Sequence, residues 1–214
     1  MYQPPAFRET RVDVLHALIR THPLGLLICT GEDGPLANPL PFLLDTSADE
    51  KATLRAHMAR ANPAWRAISE RPDVSVLVVF QGPQAYVTPS WYETKKLTGK
   101  VVPTWNYAVV QARGRATVTE DPEWLRAQVA SLTDTHESDR PNRWTVDDAP
   151  NTFIDAQIKG IVGVSVEVAD LQGKWKMSQN RPVEDREGVA AGYNEEENRP
   201  MEALVRKYGD LGES

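Results

Sequence analysis

The chain has 214 residues, 41% of them hydrophobic and 25% charged, with 24 Lys and Arg against 30 Asp and Glu for a net charge of −6. This is the make-up of a globular protein long enough to bury a proper core, and it excludes a disordered or collagen-like chain. An acidic chain does not draw polyanions as a whole, so nucleic-acid binding would need a local basic patch or a partner that carries the contact. Cys29 is the only cysteine. No intramolecular disulfide can form, and a reducing, cytoplasmic compartment is expected. Four scattered histidines and one cysteine argue against a structural zinc cluster. The start, MYQPPAFRET, lacks the apolar stretch of a signal peptide. The longest apolar runs, 24–29 and 74–80, have strand length, so no membrane association is expected.

Residues 11–21 read as a helix, with Val12, Leu15, Leu18 and Ile19 on one face and Pro23 ending it. An apolar strand follows over 24–30, then a turn at 31–34 and a second strand over 35–44, where Pro39 and Pro41 suit an edge or a bulge. A third strand is expected over 53–58. Asn62 and Pro63 open a helix running to about Glu70. The β-branched run 74–80 is a strand, Gly82-Pro83 a turn, and 84–88 another strand. Residues 105–119 form a long strand kinked at Gly114, and Asp121 caps a helix over 122–133. The polar stretch 134–150 reads as a surface loop. Residues 151–158 are helical in pattern, 161–168 a strand, 173–177 its hairpin partner, and 200–208 an amphipathic helix. Seven or so strands without βαβ alternation, and without a GxGxxG or GxxxxGK motif, disfavour Rossmann and P-loop folds. The expected class is mainly β with peripheral α-helices, an antiparallel sheet or barrel in one domain.

Three stretches concentrate chemistry. Residues 86–107, YVTPSWYETKKLTGKVVPTWNY, combine Tyr86, Trp91, Tyr92, Trp105 and Tyr107 with Lys95, Lys96, Lys100 and several hydroxyls. Aromatic faces can stack on a planar ring, and lysines and hydroxyls can hold a phosphate. The mixture suits a planar, phosphorylated cofactor, or else a hairpin tip whose aromatics cover the core while its lysines sit in water. In RAHMARANPAW, Arg60 and Asn62 stand before a helix start, where backbone N–H groups and a guanidinium fork attract phosphate. The plainer alternative is a helix cap and a surface charge. KWKMSQNR places Lys176 ahead of four polar side chains, Ser178 to Arg181, and could equally be a solvated turn. His57 lies on a predicted strand beside Arg60, a position commoner for a hydrogen-bonded core histidine than for a base. Ser90 lies in no GxSxG elbow.

In order and spacing, MYQPPAF, HMARANPAW, FQGPQAYVTPSWY, GKVVPTWNY, IKGIVGVSVEV and KMSQNR resemble the PaiB family. That family is described as FMN-binding split-barrel proteins that act as negative transcriptional regulators. The resemblance runs nearly end to end. It implies a split β-barrel of the flavin reductase and pyridoxamine-phosphate oxidase type, a homodimer with flavin at the subunit interface, and a C-terminal helical extension on a single domain spanning 1–214. By similarity, His57, Arg60 and Asn62 lie in the HxARxNP motif, with Arg60 and Asn62 expected near the phosphate. Ser90, Trp91, Tyr92, Lys95 and Lys100 follow from SPSWY, and Thr104, Trp105 and Asn106 from PTWNY. Lys176, Gln179, Asn180 and Arg181 follow from KxSQNR and are expected to reach the same site.

Two departures stand out. Asn38 occupies the place of a histidine common in relatives, and so does Gln111. Both weaken an acid–base or haem-ligating role there without touching stacking or phosphate contacts. The resemblance therefore implies FMN as cofactor and a transcriptional regulator or flavin-dependent sensor, with DNA or a regulatory protein as partner. A flavin-dependent oxidoreductase using NAD(P)H stands as the alternative, and a haem-binding split-barrel protein behind it. No catalytic residue or metal ligand is assigned.

Overall fold

The computed structural model describes residues 1–46 and 51–212. In chain order its regular elements are β1 (Arg8–Glu9), α1 (Val12–Thr21), β2 (Leu24–Gly31), β3 (Gly34–Pro41), β4 (Leu43–Thr46), β5 (Ala52–Ala59), α2 (Ala64–Ser69) and β6 (Val76–Val87). They continue with α3 (Glu93–Thr98), β7 (Thr104–Thr119), α4 (Pro122–Glu137), α5 (Asn151–Lys159), β8 (Ile161–Lys176), α6 (Val183–Glu195) and α7 (Arg199–Tyr208). The strand order is β3-β2-β6-β7-β8-β5-β4, with β1 pairing β8. The chain forms two compact units, each built from interleaved segments. Unit 1 comprises Met1–Leu15, Gln81–Val110 and Gln172–Ser214, and unit 2 comprises His16–Phe80 and Gln111–Leu171. The strands β6, β7 and β8 each have residues in both.

Unit 2 holds the β2–β3 hairpin, paired from Leu24↔Pro41 to Gly31↔Gly34, and the antiparallel β4–β5 and β5–β8 ladders. Period-two alternation buries Ala52, Leu54, Ala56 and Met58 of β5 on one face. Leu27, Val76, Val78 and Phe80 are buried from β2 and β6, and Phe42 meets Phe80 edge-on at 5.7 Å between ring centroids. A smaller cluster of Leu125, Val146, Ile154 and Ile158 packs α4 and α5 together, with Trp124 and Ile161 against it.

Unit 1 closes on a buried carboxylate. Glu9, 6% exposed, takes hydrogen bonds from the backbone N–H groups of Thr10 and Arg11, from the Arg11 guanidinium and from the Tyr208 hydroxyl at 2.9 Å. Tyr208 also stacks on Trp175, 6.2 Å between centroids. This joins the N-terminal segment to α7. The Arg11 side chain is the main cause that holds the Glu9 carboxyl down at about 2. Val189, Ala190 and Tyr193 of α6 and Met201 and Val205 of α7 form the buried seam of this unit.

The structure departs from the expected elements in a few places. The Gly82-Pro83 turn is absent, and β6 runs unbroken through it. Its pairing with β2 covers only Leu77 to Val79, so Pro83 interrupts no bond of that ladder. The predicted hairpin over 161–177 is one strand, β8. The strand β7 passes through Gly114 as regular strand. A side chain at 114 would meet the Glu167 carbonyl oxygen 1.9 Å from its Cβ, so the glycine serves close approach there. The helix α4 extends to Glu137, into the stretch read as loop. The helices α3 and α6 were not expected.

Candidate functional site

In unit 1 the β6–β7 connection is built against α6. Thr88 accepts from the Ser90 N–H and starts a 3-10 turn over Pro89–Trp91. Trp91 then seats on α6. Gly188 faces its carbonyl and Gly192 faces its indole, with room for no Cβ at either position. Tyr193 meets the same indole edge-on at 5.0 Å. This fixes the next residue, Tyr92, which is fully buried. The Arg181 guanidinium lies over the Tyr92 ring, 4.7 Å from its centroid. The Tyr92 hydroxyl has no hydrogen-bond partner among the described residues. Burial pushes its pKa up, so it stays a neutral donor at physiological pH. The buried Asp185 accepts from the Thr94 N–H at the start of α3 through Oδ1, while its Oδ2 has no partner among the described residues and its charge adds to the upward push on Tyr92.

The ends of β7 and β8 supply the rest. Lys176 Nζ donates to Thr104 Oγ1 at 2.7 Å and to the Trp105 carbonyl at 2.6 Å. Burial first, then the positive charges of Lys174 and Arg181, lower the Lys176 pKa. Asn106, fully buried, pairs with the Ser178 hydroxyl at 3.1 Å. Ser178 has φ +62°, a left-handed conformation unusual for a residue with a side chain. Gln179 supports that turn. Its Oε1 accepts from the Met177 N–H and its Nε2 donates to the Trp175 carbonyl, both at 2.6 Å. Tyr92, Thr104, Lys176, Ser178, Asn180 and Arg181, with Phe7 and the exposed Val102, line an open cavity of about 160 Å³. Elsewhere in this unit Tyr86 and Trp105 form an edge-on aromatic pair at 6.0 Å, with Trp105 53% exposed. Lys95 and Lys100 are exposed, and Lys95 Nζ reaches Ser90 Oγ at 3.2 Å.

Of the residues expected from sequence, Ser90, Trp91, Tyr92, Lys95, Lys100, Thr104, Trp105, Asn106, Lys176, Gln179, Asn180 and Arg181 thus fall within unit 1. Tyr92, Thr104, Lys176, Asn180 and Arg181 meet at the cavity, whereas Trp91 and Gln179 hold the frame around it. Sequence reasoning missed Phe7 and Val102 in its lining and the pair Gly188 and Gly192 as the seat of Trp91. The four-residue spacing of those glycines was the available signal.

His57, Arg60 and Asn62 fall within unit 2. Burial lowers the His57 pKa, and its Nδ1 has no partner among the described residues. Arg60 forms an ion pair with Glu120 and donates to the carbonyls of Lys159 at 2.9 Å and Ile161 at 3.3 Å. Asn62 Oδ1 accepts from the Ala64 N–H as α2 starts, and its Nδ2 donates to Asn38 Oδ1 at 2.8 Å. Asn38 is therefore a hydrogen-bonding partner of the motif. The Gln111 Oε1 is buried without a partner among the described residues.

FMN has a planar ring, a polar ribityl chain and a phosphate. An exposed aromatic pair, hydroxyls and amides, and cations that form no ion pair among the described residues match those three parts in kind, and the Tyr92 hydroxyl, without a partner among those residues, offers a further donor. The residues present fit the group.

Comparison with known proteins agrees. Residues 1–170 match the family described as "Putative FMN-binding domain". The chain is 33% identical to protease synthase and sporulation protein PAI 2 of Bacillus subtilis, covering 92% of this chain and 91% of that protein. It is 37% identical to an uncharacterised protein of Aspergillus fumigatus, covering 99% and 98%. Among solved structures, the flavocytochrome Anf3 from Azotobacter vinelandii superposes with a TM-score of 0.59 at 14% identity, covering 79% of this chain and 69% of that one. The FAD and heme binding protein from Mycobacterium smegmatis gives 0.57 at 16%, covering 79% and 73%. Likeness at such identities concerns the fold, which is the mainly β split-barrel class with peripheral helices. The chain belongs to the PaiB family, and FMN is its cofactor.

Proposed function

We propose that the protein is a flavin-dependent sensor of the PaiB type that influences transcription through a partner protein, as a cytoplasmic homodimer. The observation that carries this is the lining of the unit 1 cavity. It offers cations, amides, hydroxyls and aromatic carbon, groups that bind and orient a ligand. Such a site is equipped to hold a ligand. The acidic chain supports indirect action on nucleic acid. No helix of the described residues is long and apolar enough to cross a membrane. Anaerobic NADH or NADPH mixed with the FMN-loaded protein tests the reading. A sensor leaves the flavin absorbance unchanged on the timescale of turnover, and rapid bleaching overturns it. Light scattering tests the dimer, and a monomer at micromolar concentration contradicts it.

One observation favours a second reading, a flavin-dependent oxidoreductase using NAD(P)H. Trp105 and Tyr86 are about half exposed, so their faces remain open to a further planar ring. In that case FMN supplies the electron chemistry and the chain supplies position and electrostatics. The same bleaching experiment decides between the two.

A further inference from the structure

In unit 2 the outer face of the β2–β3 hairpin is apolar along most of its length. The residues of β2 alternate: Gly25, Leu27 and Cys29 are buried, and Leu24, Leu26 and Ile28 turn the other way. Leu24 is 66% exposed and Leu26 37%, although both lie on a paired strand. The register sets Pro41, Pro39 and Ala37 of β3 opposite Leu24, Leu26 and Ile28, and Pro35 opposite Thr30. On the other flank Val79 and Leu77 of β6 stand opposite Leu26 and Ile28. Residues directly opposite in an antiparallel ladder share a face, so three neighbouring strands present apolar side chains together. Polar groups border this face at the turn. Thr30, Glu32 and Asp33 are exposed there, and Arg71 donates to the carbonyls of Thr30 at 3.3 Å and Gly31 at 3.1 Å. An exposed apolar patch with a polar border marks a contact surface. The edge beside it is closed to strand addition. The strand β3 stands at one end of the strand order. Its backbone N–H groups point alternately to β2 and away from it. The pairing with β2 is unbroken from Leu24 to Gly31, so Pro35, Pro39 and Pro41 occupy positions whose nitrogen turns to the free edge. Among these alternate positions Ala37 alone keeps a donor there. A partner in this region therefore has to cover the face.

We propose that the β2–β3–β6 face is the surface on which two copies of this chain pack, sheet against sheet, about a two-fold axis. The face carries no charge and no hydrogen-bonding side chain with which to select a foreign partner. Its complement is an equally uncharged, flat surface, and a second copy brings one, because a two-fold contact uses the same patch on both sides. Sheets pack face to face about 10 Å apart with their side chains interdigitated. At about 3.4 Å per residue and 4.8 Å between strands the face covers roughly 300 Å² in plan. A stable interface takes about 800 Å² from each partner. The face thus forms the apolar centre of such an interface, and its polar border forms part of the rim. The proposal names the surface of the homodimer proposed above. It rests on that reading for the number of chains and is independent of the flavin.

The test is sedimentation velocity of the full chain across the micromolar range. The parent is expected to be a dimer. Leu26→Asp sets an unpaired carboxylate into the contact from each copy and is expected to weaken the dimer on the order of a hundredfold or more, the scale of an unpaired charge buried in an interface. Leu24→Lys, at the more exposed end of the face, is expected to weaken it on the order of tenfold or more. Both side chains point away from the buried face of β2, so far-ultraviolet circular dichroism should match the parent, and Leu24→Lys keeps the test available if Leu26→Asp folds poorly. Leu97→Asp, at an apolar residue 76% exposed in unit 1, should leave the dimer unchanged. A dimer that survives both face variants, or one that Leu97→Asp alone dissociates, overturns the assignment of the face and leaves the homodimer standing. A monomeric parent overturns both, and the visible spectrum of the same sample then shows whether FMN is retained without a dimer. If that monomer floats with neutral phosphatidylcholine vesicles, the face meets lipid and the proposal is equally overturned.

Discussion

Gly192→Ala perturbs the candidate site from behind. A Cβ at 192 would lie 2.2 to 2.5 Å from three atoms of the Trp91 indole. Carbon atoms in comfortable contact stand about 3.5–4.0 Å apart, so the ring would have to retreat by more than 1 Å. Retreat is obstructed, because the α6 backbone at Gly188 lies tight against the Trp91 carbonyl and Tyr193 abuts the ring. Overpacking of this kind costs about 1–3 kcal/mol. Against it stands the better helix propensity of alanine, about 1 kcal/mol. The balance is a net loss on the order of 1 kcal/mol, with Tyr92 displaced and FMN affinity reduced together. Urea unfolding of both proteins reads the first effect and flavin titration the second. A Gly192→Ala protein as stable as the parent or more so, with unchanged FMN affinity, would refute the claim that Trp91 is seated on α6 and braces the cavity.

Glu9→Gln should lower stability at pH 7 by about 2 kcal/mol. The depression from 4.5 to about 2 corresponds to more on the scale of 1.36 kcal/mol per unit, and solvent at the half-exposed Arg11 screens part of it. Because the folded-state value is depressed, this stabilisation is present above about 4.5 and is lost as pH falls towards about 2; equal slopes of stability against pH for parent and variant over that window would contradict it. Arg60→Ala should cost about 1–2 kcal/mol of stability through its lost carbonyl and Glu120 bonds. If these bonds are its whole role it should change FMN and riboflavin affinity alike, whereas a loss for FMN alone would show the phosphate role that its motif implies. Trp105→Ala, at an exposed position, should change stability by less than about 0.5 kcal/mol. It should weaken both flavins by about 0.5–1.5 kcal/mol if the ring stacks there; unchanged titrations would rule the stacking out.

Most of the strands were legible in the sequence because burial on one face leaves a period of two, as in β5, and β-branched runs mark β6 and β8. Asp121 and Asn62 declared their helix starts through side-chain chemistry that acts locally. What stayed hidden depends on distant partners. Gly82-Pro83 reads as a turn until it is known that β2 has already left that part of β6. The helix α6 lacks a clean apolar stripe, since two of its inward positions are the glycines that receive Trp91. The motifs gather the candidate residues of unit 1 but do not separate its cavity side chains from its frame. Trp91 and Gln179 sit among the same rare residues as Tyr92 and Arg181, and only packing distinguishes them. Arg60 reads as a free cation until the fold brings Glu120 and two carbonyls to it.

The most direct test of the account is the visible spectrum of the protein as purified, and again after addition of FMN and desalting. The account predicts a retained flavin spectrum at about one FMN per chain, diminished in Tyr92→Phe and Arg181→Gln. Desalted protein that carries no flavin after incubation with excess FMN would contradict it.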